Sequence, residues 1–185
     1  MDDSRPTITR RGYTLIEVLI VVTIMGIAGA LVIPSIDQAG VLRSQAAVRT
    51  IVSDLVVAQA DAVAMQEQRA VVFSPETNSY ALYRARGADF ETDENLMIDP
   101  FNPNTDRYEV TFTQEQFGVV QLTGAEFDGT GSAVVFDEFG APVVAVGSNT
   151  PSTGGTITLV DDYFTFTVDL QAFTGRVVTS KVELP

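Results

Sequence analysis

Glu17, a single carboxylate inside an apolar run, is the residue whose position most directly indicates a functional role. Glu17 is the one charge between positions 15 and 33, a stretch of 19 residues that holds twelve Leu, Ile or Val. A charge in such a run is costly and usually marks a function or a pairing partner. Cutting the chain after Gly12 would create a positively charged amino group at Tyr13, a natural partner for Glu17 on the same or a neighbouring subunit. In the alternative interpretation, Glu17 only complements the positive end of a helix dipole.

Other catalytic chemistry has little support in this sequence. The 185 residues contain no Cys and no His, which removes thiolate chemistry, the usual triads and most zinc sites. A membrane-anchored enzyme would need carboxylates or a Ser–Lys pair. Lys181 is the only lysine and lies near the end, while the acid pairs at 137–138 and 161–162 are typical of turns. We therefore predict a non-enzymatic protein without a cofactor.

The apolar run predicts a membrane span over residues 13–34. Its charge-poor part, residues 15–33, would be about 28 Å long as a helix, close to the hydrocarbon thickness of a bilayer. Its aliphatic residues contribute about −5 kcal/mol to insertion, against at most about +3 for the carboxylate. Arg10 and Arg11 precede the run, which predicts a cytoplasmic N-terminus and an exported C-terminal part. An ordinary signal peptide fits less well, because its best cleavage site, Ala-Gly-Ala at 28–30, lies inside the run.

The charge balance excludes several partners. The chain has 24 acidic and 11 basic residues and a formal net charge of −13. Residues 1–12 carry three Arg and two Asp, so their removal would change that charge to −14. Nucleic-acid affinity comes largely from Lys and Arg, so we expect no nucleic-acid partner. The sequence also lacks a polybasic patch for anionic lipid.

The segment RRGYTLIE, residues 10–17, closely resembles the cleavage motif of type IV prepilins and type II secretion pseudopilins. In that family a prepilin peptidase cuts after the Gly and methylates the new N-terminus. The resemblance implies that Gly12 is the cleavage residue, that Tyr13 is N-methylated and that Glu17 serves assembly. Pro34 matches the family's helix-kinking proline. Tyr13 is a mild departure, since Phe is commoner at that position.

The resemblance also implies a location and partners. Residues 1–12 would be the leader peptide, and residues 13–34 would span the bacterial inner membrane once before forming the core of a filament. The N-terminus would be cytoplasmic and the C-terminal domain periplasmic or otherwise extracytoplasmic. The implied partners are the prepilin peptidase, the inner membrane before assembly, and other pilins or pseudopilins in a filament.

Helical periodicity continues beyond the run, over residues 35–68. At 100° per residue, one face is apolar and another is polar. The apolar face holds Val48, Ile51, Val52, Leu55, Ala58 and Ala62. The polar face holds Arg43, Thr50, Asp54, Asp61 and Gln68. This amphipathic pattern predicts that the helix lies across a sheet.

Residues 69–185 change to a period of two and form the predicted β-rich extracytoplasmic domain. The alternation at 163–168 places Phe164, Phe166 and Val168 on one face. The other predicted strands are 70–74, 79–84, 108–113, 117–122, 133–136, 143–146, 156–160 and 177–180. Many short strands separated by turns indicate antiparallel sheets. The predicted class is therefore α+β and pilin-like, with a long N-terminal helix packed on antiparallel sheets.

Three looser motifs narrow the resemblance to the H-type minor pseudopilins. They are DLVVAQADA at 54–62 followed by the strand at 70–74, FDEFG at 136–140, and GRVV at 175–178. The resemblance implies a structural minor subunit of a type II secretion pseudopilus that supports protein secretion. The alternative is a minor type IV pilin for pilus assembly, adhesion or DNA uptake. DNA uptake fits poorly, because the tail carries only Arg176 and Lys181 as cations.

An acidic loop is predicted over residues 87–106. Its oxygen ligands could hold calcium, with Asp99 and Asp106 as weak candidates, but its spacing matches no EF-hand. We favour a solvated insertion with no metal. Large side chains near the loop could instead form a subunit contact: Tyr83, Phe90, Met97 and Phe101.

Overall fold

The computed structural model describes residues 12–100, 107–128 and 131–184, apart from the side chains of residues 30–39. The chain divides into two compact units, residues 1–39 and 40–185. The predicted leader therefore lies almost wholly outside the described residues. So do Phe101 and Asp106 of the acidic loop.

One long helix, two very short helices and nine strands make up the described chain. The helix α1 is Leu15–Met65, the 3-10 turn is Pro75–Thr77 and α2 is Gln114–Phe117. The first five strands are β1 Arg69–Ser74, β2 Ser79–Arg84, β3 Glu109–Thr111, β4 Gln121–Phe127 and β5 Ala133–Phe136. The others are β6 Pro142–Val143, β7 Gly154–Val160, β8 Phe164–Gln171 and β9 Val177–Glu183.

The strands form two antiparallel sheets, as predicted. A five-stranded sheet has the order β3-β2-β1-β5-β6, and a four-stranded sheet has the order β4-β7-β8-β9. The β1–β2 hairpin pairs Val71 with Leu82, and the β7–β8 hairpin pairs Ile157 with Val168. These four side chains are buried in one core, which both sheets share. The α+β class is confirmed.

The second half of α1 supplies the third side of that core. The predicted apolar stripe is buried at Val48, Ile51, Leu55, Ala58 and Ala62. These positions recur at helical spacing, so a single face of the helix meets both sheets. The helix therefore packs on the sheets as its periodicity predicts.

The helix is shorter than predicted, ending at Met65 and not at residue 68. Gln66 adopts a left-handed conformation, with φ of 54°. Its side-chain Nε2 donates to the carbonyl of Val63 (2.9 Å), and the N–H of Glu67 donates to that of Ala62 (3.2 Å). These bonds satisfy the last carbonyls of α1 and turn the chain towards β1.

Two strand predictions were wrong over most of their length. The predicted strand 117–122 is instead the end of α2 followed by β4, because Gly118 takes φ of 74° and Phe117 packs its ring 5.3 Å from that of Phe112. The predicted strand 143–146 keeps only Val143 in a strand. Val144 leaves the sheet because its N–H donates to the carbonyl of Thr150 (3.1 Å).

Asp54 corrects the predicted polar face of the helix. Its side chain is not solvated: the residue is 6% exposed and lies against the five-stranded sheet. The hydroxyl of Tyr80 donates to Oδ2 (2.6 Å) and that of Tyr108 donates to Oδ1 (3.0 Å). Burial of a carboxylate is tolerated when both oxygens accept hydrogen bonds.

Burial raises the pKa of Asp54 above its ordinary value of 3.8, although the two tyrosine hydrogen bonds oppose that shift, and the negative charge of Asp99 adds to it. The pKa values of both tyrosines are raised as well, chiefly by burial and then by the charge of Asp54. The three side chains therefore form a polar contact that ties α1 to β2 and to the chain entering β3.

We predict that Asp54 makes the fold less stable as pH rises. A raised pKa means that the folded state holds the proton more tightly, so its stabilising effect is full below 3.8 and is lost as pH rises through the folded-state pKa. In detergent micelles, the free energy of unfolding of the wild type should fall over this window relative to that of Asp54→Asn. Tyr108→Phe removes a bond that lowers the pKa and should move the fall to higher pH. Parallel pH profiles for the wild type and Asp54→Asn would contradict the prediction.

Gln59 joins the three motifs that resemble the H-type pseudopilins. Its Nε2 donates to the carbonyls of Gly140 (2.6 Å) and Thr174 (3.2 Å). Both adjoining glycines need to be glycine: Gly140 has φ of 80° and Gly175 has φ of 63°. A Cβ on Gly175 would lie 2.9 Å from Gln59 Nε2. One amide of α1 thus fastens two glycine-containing loops.

We predict that Gly140→Ala destabilises the protein more than Gly147→Ala does. Both glycines have positive φ, which costs an Ala about 1–2 kcal/mol. A Cβ at Gly140 would also lie 3.0 Å from Val63 Cγ2, whereas one at Gly147 would meet nothing within 4 Å. Such overpacking adds about 1–3 kcal/mol. The loss of unfolding free energy would be measured by chemical denaturation of both variants in micelles. Equal losses would show that the contact of residue 140 with α1 is loose enough to accept a methyl group.

Candidate functional site

The predicted cleavage site lies just before α1. Gly12 and Tyr13 are outside the helix and exposed, and α1 begins at Leu15. A Cβ added to Gly12 would meet nothing within 4 Å. Packing in the described chain therefore does not require glycine at this position.

Glu17 takes part in a capping box at the start of α1. The N–H of Thr14 donates to Glu17 Oε2 (3.4 Å), and the N–H of Glu17 donates to Thr14 Oγ1 (3.3 Å). This reciprocal arrangement satisfies helix-start donors that have no intrahelical acceptor. The sequence prediction missed it, although the pattern Thr-x-x-Glu at 14–17 signals such a box. The carboxylate is directed towards the N-terminal end of the helix, where Tyr13 lies.

The beginning of α1 is apolar and exposed on every side. Tyr13 is 82% and Leu15 is 85% exposed, and other large apolar side chains follow around the helix. They are Ile16, Val18, Leu19, Ile20, Val21, Val22, Ile24, Met25 and Ile27. The hydroxyl of Thr23 donates to the carbonyl of Leu19 (2.7 Å), which satisfies the polar group within the helix itself. A helix that is apolar all round requires a partner surface or lipid to cover it.

The exposed apolar part of α1 is followed or interrupted by two glycines. Gly26 and Gly29 lie inside α1, where glycine is about 1 kcal/mol less favourable than Ala. A Cβ at either residue would meet nothing within 4 Å in the described chain. Their small size therefore brings no packing gain against the residues that the structure describes.

The membrane span and Pro34 extend beyond what is described. No helix within the described residues is long and apolar enough to cross a membrane. The predicted span covers residues 13–34, and side chains 30–34 lie outside that description, so it stays a prediction. The helix α1 is continuous through residue 34, but the role of Pro34 is untested.

One aspartate of each predicted acid pair accepts hydrogen bonds from backbone N–H groups of its own turn. Asp137 Oδ1 accepts the N–H groups of Phe139 and Ala141, and Asp161 Oδ1 accepts those of Tyr163 and Phe164. Both are turn contacts, as predicted.

Among the residues that the structure describes, no three acidic side chains are placed to hold a metal ion. Asp99 lies near Asp54, whose pKa its charge raises. The calcium hypothesis also needs Asp106, which is outside the described residues. The contact residues predicted near the loop have partners within the chain: Met97 is buried in the core, and the rings of Tyr83 and Phe90 meet at 6.0 Å.

The geometry can now be set beside known proteins. Residues 9–33 match the family described as the prokaryotic N-terminal methylation motif. No protein with a curated description matches the chain. The fold is similar to the minor pseudopilin EpsH from the Type 2 Secretion System of Vibrio cholerae, with a TM-score of 0.51 and 10% sequence identity over 76% of this chain and 97% of that one. At that identity the likeness concerns the fold alone.

The motif match covers the segment in which Gly12, Tyr13 and Glu17 lie, and the structural likeness extends over most of the chain. A long N-terminal helix and antiparallel sheets are the fold shared with that pseudopilin, and the methylation motif includes the first part of the helix. The chain thus carries a prokaryotic N-terminal methylation motif at residues 9–33 and has a fold similar to that of a minor pseudopilin.

Proposed function

We propose that this chain is a structural, non-catalytic minor subunit of a type II secretion pseudopilus. It is held in the bacterial inner membrane with its N-terminus cytoplasmic and its C-terminal domain extracytoplasmic. After processing by prepilin peptidase it enters a filament with other pseudopilins and supports protein secretion. The observation that carries this proposal is the surface of α1 from Leu15 to Ile27, apolar on every side and exposed, with Glu17 as its one charge.

Processing hydrolyses the peptide bond between Gly12 and Tyr13. Water supplies the hydroxyl for the new carboxylate of Gly12 and a proton for the new amino group of Tyr13. That amine then exchanges a proton for a methyl group from a sulfonium methyl donor, which leaves as the thioether. The exposure of both residues ahead of α1 supports access by a peptidase. The lack of any packing reason for Gly12 supports a requirement imposed by that enzyme.

The new amino group arises beside the carboxylate that we assign to assembly. Glu17 Oε2 already lies 3.4 Å from the backbone nitrogen of Thr14, the residue that follows Tyr13. In lipid or in a filament of packed helices, an unpaired charge is costly, so the carboxylate and a terminal amine favour one another. An amine from a neighbouring subunit would fix the offset between subunits, since any other register would leave both charges unpaired.

The assignment to a secretion pseudopilus in particular rests on the body of the protein. The likeness in fold to a minor pseudopilin supports it. So does the contact of Gln59 with Gly140 and Thr174, which brings the three H-type motifs together in space. Pro34 is proposed to bend the helix between its two halves.

We predict that the mature chain begins at Tyr13 and carries one methyl group there. Intact mass and N-terminal peptide analysis of cells with and without a prepilin peptidase would measure this. Gly12→Leu should retain the Met1 terminus, whereas Gly26→Ala, a change of another exposed glycine, should be cut normally. An unmodified Met1 terminus in peptidase-competent cells would refute the proposed processing.

We also predict that assembly requires the charge of Glu17 and not its capping role. Glu17→Gln keeps an N3 side chain that completes a capping box, whereas Glu17→Val removes both cap and charge. Both variants should insert and be cut after Gly12, yet both should lose filament incorporation and secretion into the medium. Thr14→Ala removes the cap hydroxyl but keeps the carboxylate, and should assemble. Normal assembly of Glu17→Gln would mean that capping alone explains the residue.

A further inference from the structure

Four of the eight cations that the structure describes in residues 40–185 are already neutralised or bound within the chain. Arg69, whose side chain is 3% exposed, pairs with Asp61 and Glu67, and Arg86 pairs with Glu67 (2.8 Å). The Arg86 hydrogen bond is the main cause that lowers the pKa of Glu67. Arg107 pairs with Asp93, and Arg84 donates to the carbonyls of Glu94 and Leu96.

The side chains of Arg43, Arg49, Arg176 and Lys181 form no ion pair within the described residues, and Arg49 and Lys181 are the two of these that line one groove. Neither forms an ion pair with any carboxylate that the structure describes, although acidic residues outnumber basic ones by 24 to 11 in the chain. Glu183, two residues beyond on the same strand, is the nearest acid in sequence to Lys181 and forms no such pair with it within the described set. Exposed cations that lie together without an internal partner can pair with an acidic group of another molecule.

The two cations line one groove between α1 and β9. This α1–β9 groove encloses about 250 Å³. Its lining includes Gln45, Val48, Arg49, Phe166, Thr179 and Lys181. Val48 and Phe166 belong to the buried core and give the groove an apolar floor. Cations beside an apolar floor suit an anionic side chain with aliphatic carbons, such as Glu or Asp.

Lys181 is held in place at the groove by aromatic rings. Its Nζ lies 3.3 Å from the ring centroid of Phe164 and 5.7 Å from that of Phe166. A cation–π contact orients the ammonium while leaving it able to bind an anion. The strand that carries it, β9, is at the edge of the four-stranded sheet, so a partner can approach from that side.

We propose that the α1–β9 groove binds an acidic segment of a neighbouring subunit in the filament, a different prepilin-type protein whose Asp or Glu pairs with Arg49 and Lys181. A second copy of this chain is a poorer occupant, because two chains of net charge −13 repel each other. The groove is formed by α1, the helix to which we assign assembly, so a contact here would join the bodies of subunits whose helices pack together. This inference rests on the proposed function, since it requires filament neighbours.

The single lysine makes the test specific. A carbodiimide joins an amine directly to a carboxylate with no spacer, and Lys181 is the one side-chain amine in the chain. The full-length protein would be treated in membranes of cells that express the whole secretion system, and peptides linked to Lys181 would be identified by mass spectrometry. We expect a link to an Asp or Glu of another protein that carries an N-terminal methylation motif.

Three variants complete the experiment. Lys181→Arg keeps the charge without the reactive amine and should abolish the linked species. Arg49→Glu should reduce its yield at least about tenfold, because a like charge facing the partner's carboxylate opposes binding. Arg43→Glu makes the same change of charge at another exposed position of α1, outside the groove lining, and should leave the yield unchanged.

Links from Lys181 only to this chain's own carboxylates, only to a second copy, or to no protein would overturn the inference. An equal loss of yield in Arg43→Glu and Arg49→Glu would also overturn it, because general charge would then explain the effect. The methylated terminus at Tyr13 is read from the same samples. A methylated Tyr13 terminus without the Lys181 link would refute only the proposal about the groove. The absence of that terminus would refute the proposed function.

Discussion

The exposed apolar surface at the start of α1 is the constraint on which the rest of the molecule depends. Within the described chain, nothing covers the side chains from Leu15 to Ile27. Water is a poor solvent for such a surface, so lipid or other helices have to cover it. Residues 40–185 need only a separate core of their own for the helix to perform its function. Their outer surface can therefore be acidic and polar.

Glu17 shows how a local role and an assembly role are compatible in one side chain. In a capping box its carboxylate stabilises the first turn of α1 before any partner is present. The distance from Thr14 nitrogen, 3.4 Å, is long for a charge-assisted hydrogen bond. The carboxylate is thus positioned near the helix start but weakly engaged, and an ammonium group could replace that contact with a stronger one.

Sequence periodicity predicted the layers of the fold better than it predicted the environment of single polar residues. The stripe through Ile51, Leu55 and Ala58 was readable because burial repeats with the helix. Asp54 was misplaced because it lies at the edge of the same stripe, three residues after Ile51 and four before Ala58. Its burial depends on the hydroxyls of Tyr80 and Tyr108, which lie far away in sequence and leave no periodic signal. The strand error at 117–122 has a similar origin, since Gly118 and the packing of Phe117 on Phe112 override local β propensity.

Contacts between residues distant in sequence also explain how a similar fold is kept at 10% identity with a solved pseudopilin. The contact of Gln59 with two loops needs one amide and two glycines at positive φ, and each of these residues is uninformative alone. The α1–β9 groove is likewise formed by residues that are uninformative when taken one at a time. Arg49 and Lys181 are 132 residues apart in sequence, and nothing in either neighbourhood links them. Their common position in one groove becomes visible only in the fold, and in a chain this acidic two neighbouring cations without a described carboxylate partner are the informative observation.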